Sequence, residues 1–156
     1  MNHGIRANPL RALVLSWVFS LLLPLLAGCS GFGREWKAAA KLPAGADSIA
    51  GRWEGTWRSD ANGHRGRLRC IMTPQNGSVV EARFRATYAG ILSFGYTAPL
   101  TVTNEAGVWR FTGEADLGKL AGGVYRYDGT ASPTQFHSIY RAQSDHGAFE
   151  MQRPTK

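Results

Sequence analysis

The sequence predicts an all-β domain, an eight-stranded antiparallel up-and-down β-barrel preceded by one short helix, and three observations carry that expectation. Apolar and polar residues alternate with period two in eight successive segments, the pattern of strands with one buried face. Turn signals, most of them containing glycine, separate those segments at short intervals, as antiparallel neighbours require. Thirteen aromatic residues between Trp53 and Phe149 share the inward parity of their segments, whereas ten arginines between Arg52 and Arg141 share the outward one. This partition implies a single sheet with one dry face, and closing it removes exposed edges. A β-sandwich is the alternative. The chain has 156 residues, enough for one domain, and 44% hydrophobic with 19% charged residues gives it a core and excludes a disordered tail.

In chain order, the first element is an address. Arg6 and Arg11 precede an apolar run from Ala12 to Gly28, with no acid before Glu35, which is the layout of an export signal. The run is short for a bilayer span, which takes about 20 residues, and contains Pro24. Leu26-Ala27-Gly28-Cys29 resembles the lipobox of bacterial lipoproteins. The resemblance implies cleavage before Cys29, a diacylglyceryl group on its thiol and an acylated new amine. Several acyl chains at ~0.8 kcal/mol per buried CH₂ make such an anchor effectively permanent. In that family an Asp after the Cys usually retains the protein in the inner membrane, so Ser30 implies an outer-membrane anchor facing the periplasm. Loss of residues 1–28 removes two arginines and no acid, taking the net charge from +7 to +5. With Cys29 on lipid, Cys70 is the one thiol left, and an intrachain disulfide is excluded.

Residues 29–48 read as the lipidated cysteine, a Gly/Ala/Ser tether and a short helix over Arg34 to Lys41, stopped by Pro43. The barrel domain then occupies 49–153, with strands near 50–58, 65–72, 78–88, 91–102, 107–115, 121–130, 134–141 and 146–152. Turns fall at Asn62-Gly63, Asn76-Gly77, Ala89-Gly90, Ala106-Gly107, Leu117-Gly118-Lys119, Ser132-Pro133 and His146-Gly147. Asn76-Gly77-Ser78 matches a glycosylation acceptor and reads here as a hairpin turn.

Gly51-Arg52-Trp53, on the first strand after a short helix, resembles the G-x-W motif of lipocalins and related calycin barrels. The resemblance implies that Trp53 packs at the closed end of the barrel and that Arg153, just past the last strand, covers it. It does not by itself imply ligand carriage, because fold does not fix function.

An eight-stranded barrel is either filled by its own side chains or holds one small ligand. Thirteen aromatics favour filling, whereas inward Gly55, Gly66, Gly113, Gly123, Gly129 and Gly147 leave room or serve as beds for neighbouring rings. If a cavity exists, its candidate lining is Phe84, Phe94, Tyr96, Trp109, Tyr125 and Tyr140. Up-and-down topology brings Asp60 and His64 towards Asp145 and His146 at one rim. Two imidazoles and two carboxylates suit a transition metal or acid/base work, but these are also ordinary turn residues, and no metal or other cofactor is expected. His137 reads as a solvated surface residue and Cys70 as a buried, inert thiol. Arg65, Arg67 and Arg69 on one strand, with Arg83 and Arg85 on the next, form a patch that is either a solvated face or a surface for anionic lipid, an envelope polymer or an acidic protein. Nucleic acid is not an expected partner in the envelope. With no nucleophile elbow, H-E-x-x-H, paired C-x-x-C or phosphate-binding loop, the chain reads as non-enzymatic. The expected function is an envelope interaction or structural module, with lipocalin-like binding of a small apolar ligand as the alternative.

Overall fold

The computed structural model describes residues 31–41 and 47–155, so the export signal, Cys29 and its lipidation lie outside the described residues. The described helix covers residues 31–39 and begins ahead of the expected Arg34. Phe32 and Trp36, one turn apart, stack with ring centroids at 5.9 Å, a contact that offsets the weak helix propensity of Gly31 and Gly33. Among the described residues no helix is long and apolar enough to cross a membrane.

Eight strands follow: β1 (Gly51–Ser59), β2 (Arg65–Pro74), β3 (Val79–Tyr88), β4 (Leu92–Glu105), β5 (Val108–Asp116), β6 (Val124–Ala131), β7 (Gln135–Arg141) and β8 (His146–Gln152). Each pairs antiparallel with its successor, and β8 pairs back onto β1, so the sheet is a closed up-and-down barrel. The expected sixth strand began at 121. Instead Gly118 to Gly123 form a compact loop with a 3₁₀ turn at Lys119–Ala121, closed by Gly122 in the left-handed region at φ 95°. Leu117 N–H donates to Gly123 O at 3.0 Å, which holds the loop's ends together and delays β6 by three residues.

The register decides which inward residues stand at each end of the barrel. At the end where β1 begins and β8 finishes, Trp53, Met72, Leu100, Phe111, Phe136 and Met151 are all buried and leave little space. Phe111 and Phe136 stack at 4.8 Å, and Trp53 sits 5.7 Å from Phe136. Trp53 is 0% exposed and its indole N–H donates to Ile49 O at 2.9 Å. Arg153 lies over that indole, its guanidinium carbon 3.9 Å from the ring centroid. The same guanidinium donates to Ala50 O and Ser48 O, both at 2.6 Å. Burial lowers the Arg153 pKa, which fits a cation held by carbonyls and a ring face rather than by water.

At the other end Ser59, Gly66, Ala86, Ala115 and Gly147 stand among the inward aromatics as small residues. A side chain at Gly66 would strike Thr87 O, and one at Gly147 would strike Arg58 O; in both cases the obstacle is the neighbouring strand's backbone. These two glycines therefore let adjacent strands bend close together, the device by which a small barrel curves. They also leave the upper interior short of side-chain volume. The barrel is filled in its lower half and open in its upper half, which resolves the alternatives of core and cavity by position.

Candidate functional site: a cavity at the open end

The open end holds a cavity of about 250 Å³. Its walls are Trp57 from β1, Phe94 and Tyr96 from β4, Tyr125 and Tyr127 from β6, and Phe149 from β8, completed by Leu68, Ala86, Tyr140 and Asp145. Leu117 and Ala121 approach from the β5–β6 loop. Rings meet around it in series: Phe84 stacks on Tyr96 at 5.1 Å, Tyr96 on Tyr127 at 6.2 Å, and Tyr140 meets Phe149 in a tilted contact at 5.0 Å.

Four of the six expected lining residues, Phe94, Tyr96, Tyr125 and Tyr140, stand in the wall. Phe84 does not. It is buried against Tyr96, Tyr127 and Phe149, one layer further in. Trp109 is buried opposite Ala131 near the closed end, because β5 starts at that end and its inward residues climb towards the mouth. Tyr127, Trp57 and Phe149 had the same inward parity as the residues singled out; only the register, which says how high each stands, separates lining from core. Leu117 and Ala121 come from a loop without periodicity, which gives no parity to read.

Polar groups gather on one side of the mouth. Ser59, 1% exposed, donates its hydroxyl to Asp145 Oδ1 at 2.6 Å, and Tyr140 donates to Asp145 Oδ2 at 3.4 Å and to Arg58 O at 3.3 Å. Burial, and then the Asp145 charge, push the Tyr140 and Tyr125 phenols above their usual range. Burial does the same to Tyr96 and Tyr127. All four rings therefore present neutral hydroxyls. Asp145 is the one charged side chain in the wall among the described residues.

The rim expected for Asp60, His64, Asp145 and His146 does assemble, since Asp60 N–H donates to His146 O at 2.8 Å. Its side chains are otherwise engaged: Asp60 pairs with Arg58 at 2.9 Å, Asp145 holds Ser59, and His64 packs against Tyr88 at 4.7 Å. Among the described residues no group of three or more His, Cys, Asp or Glu side chains is placed to hold a metal ion. His137 is exposed on the outer face, and Cys70 is a buried free thiol whose pKa burial raises well above the usual value.

The arginine patch lies on the outside of β2 and β3. Arg65 and Arg67 are exposed, Arg69 faces Arg85 directly across the ladder, and Arg83 faces Ile71. Arg69 also reaches Glu54 on β1 at 3.6 Å. Beside Arg65 and Arg67 the β3–β4 hairpin projects Ile91, 83% exposed, and Leu92, 61% exposed. Phe94, 50% exposed, continues this apolar lip into the cavity. Two larger hollows, of about 390 and 410 Å³, lie along strand exteriors, one lined by Arg65 and Arg67 beside Trp57 and the other by Glu54, His137 and Glu150. They lack the aromatic enclosure of the mouth. No protein-family model and no curated protein matches the chain.

Proposed function

We propose that this chain is an outer-membrane lipoprotein, held through Cys29 and facing the periplasm, whose barrel takes a small, largely apolar molecule into its open end. The mouth cavity carries the reading. About 250 Å³ walled by Trp57, Phe94, Tyr96 and Phe149 is concave, aromatic and open on one side, the character of small-molecule sites. An apolar cavity of about 150 Å³ already accepts benzene, so this one has room for a two-ring or short-chain molecule. The exposed lip of Ile91, Leu92 and Phe94 gives such a molecule an apolar path from a membrane surface.

A non-catalytic role fits the chemistry of the mouth: Ser59 donates straight to Asp145, so no imidazole stands between them to take its proton. The second reading, an envelope interaction module, is favoured by the same lip beside the Arg65 and Arg67 row, which suits an anionic surface. Purifying the protein from its own host and extracting it with solvent before mass analysis separates the two. A stoichiometric apolar compound supports binding; an empty cavity in native mass spectra supports the module.

A further inference from the structure

Of the five large apolar residues exposed by 40% or more among the described residues, three, Ile91, Leu92 and Phe94, stand within four positions at the tip of the β3–β4 hairpin. The backbone fixes that exposure. Ala89 and Gly90 turn at φ 50° and 77°, Ile91 N–H donates to Tyr88 O at 3.2 Å, and the Thr87 and Ser93 hydroxyls meet at 3.1 Å just below. An isoleucine 83% exposed stands clear on nearly all sides, so the tip has no groove of its own. Three side chains on a turn also fall far short of the roughly 800 Å² that each partner gives to a stable protein interface. A bilayer asks for neither groove nor such an area, since apolar side chains enter its surface a few at a time.

Charge beside the tip fits the same partner. Arg65 and Arg67 share a hollow with Ala89 and Gly90; both are exposed, and neither enters an ion pair among the described residues. The other charged residues of that hollow are Arg58, which pairs with Asp60, and Glu150. Arg67 stands level with Thr87, and the Gly90 tip lies about 10 Å further along at ~3.3 Å per residue. Apolar faces that lie in a membrane surface sink about 5–10 Å into the boundary between head groups and acyl chains. A tip at that depth brings the two guanidiniums to the phosphates. We propose that the β3–β4 hairpin inserts Ile91, Leu92 and Phe94 into the surface of an anionic phospholipid bilayer, with Arg65 and Arg67 on the head groups. Phe94 also walls the cavity, so insertion turns the mouth of the barrel towards the membrane. This rests on the reading of the lip and its arginines as a contact for an anionic surface, and it holds whether or not the cavity is occupied.

The test reconstitutes the full chain in vesicles with a nitrobenzoxadiazole label on Leu92→Cys. The same label on Val108→Cys, 40% exposed at the opposite end of the barrel, is the matched control, and unsubstituted protein gives the background from Cys29 and Cys70. Emission colour and quenching by doxyl lipid report entry into the bilayer; energy transfer to a rhodamine head-group dye reports approach to it. In vesicles of phosphatidylglycerol and phosphatidylcholine the Leu92 label should brighten, shift to the blue and be quenched, while the Val108 label stays in water. High salt, or phosphatidylcholine alone, should return the Leu92 label to water. Replacing Arg65 and Arg67 by Glu should lower the ratio of inserted to free hairpin about twentyfold or more, at about fivefold per arginine. Ile91→Ser should lower it about tenfold or more. Both variants should melt with the parent, since all three side chains are exposed. A Leu92 label that approaches anionic vesicles in a salt-sensitive manner yet stays in water overturns insertion and leaves the anionic-surface reading standing. No approach at all overturns both. Equal burial of the two labels overturns the orientation, and equal insertion into phosphatidylcholine alone overturns the part given to the arginines.

Discussion

Trp53 joins three kinds of interaction at one residue: complete burial, an indole hydrogen bond to Ile49 O, and the Arg153 guanidinium against its face. Trp53→Ala should cost about 3–5 kcal/mol of stability by denaturant unfolding, because a cavity opens in the filled half where neighbouring rings cannot collapse. The tyrosines give a pH dependence with a definite sign. Tyr96, Tyr127 and Tyr140 have folded pKa values above the unfolded value of 10.0. Their stabilising contribution is therefore complete below about pH 10 and is lost as pH rises beyond it, where the unfolded chain ionises phenols that the folded chain keeps protonated. Melting temperature should be flat with respect to these groups up to about pH 10 and fall above it, with their phenolate absorbance appearing only on unfolding. Single residues were legible where parity decides their environment. Trp53, Cys70 and Arg153 stand where the sequence put them, whereas Phe84 and Trp109 moved from lining to core because height along the barrel depends on register.

At the scale of elements, the strands explain why space exists at one end. Gly66 receives the Trp57 indole, which passes over it to donate to Thr87 O at 3.3 Å. Gly66→Val would drive a side chain into the Thr87 carbonyl, part β2 from β3 and displace Trp57. A loss of at least about 2 kcal/mol, with a shift in tryptophan fluorescence, is the expected outcome by urea unfolding. The outward rows predict the reverse pattern. Replacing Arg65 and Arg67 by Glu in protein beginning at Gly31 should abolish weak, salt-sensitive sedimentation with anionic vesicles and change the melting temperature little, since both side chains are exposed. Equal sedimentation of parent and variant would reduce the patch to a solvated face. Alternation and turn residues made the eight strands legible within a few residues. The Leu117 to Gly123 loop was not, because its glycines marked a turn without telling how much chain the turn consumes, and it supplies two cavity residues that no periodicity announces.

For the whole molecule, closure and anchoring act together. Closing β8 onto β1 leaves no free edge for aggregation, so the barrel can stand beside a membrane without inviting strand addition. The acyl anchor proposed at Cys29 would tie the chain to a membrane; Cys29→Ala should release the protein from membrane fractions or leave its signal uncut, and unchanged fractionation and mass would contradict that part of the account. The central claim is that the mouth cavity itself holds a ligand. Ala86 tests it, being buried in the wall between Leu68 on β2 and Phe94 on β4. Ala86→Leu adds three carbon atoms to a space of about 250 Å³ and leaves every outward residue alone. Calorimetric titration of 2-naphthalenemethanol into parent and variant is the most direct measurement. The account predicts one site in the parent with a negative heat-capacity change, and binding weakened about tenfold or more in a variant that melts no earlier. Equal affinity in the two proteins, or none in the parent, would contradict it.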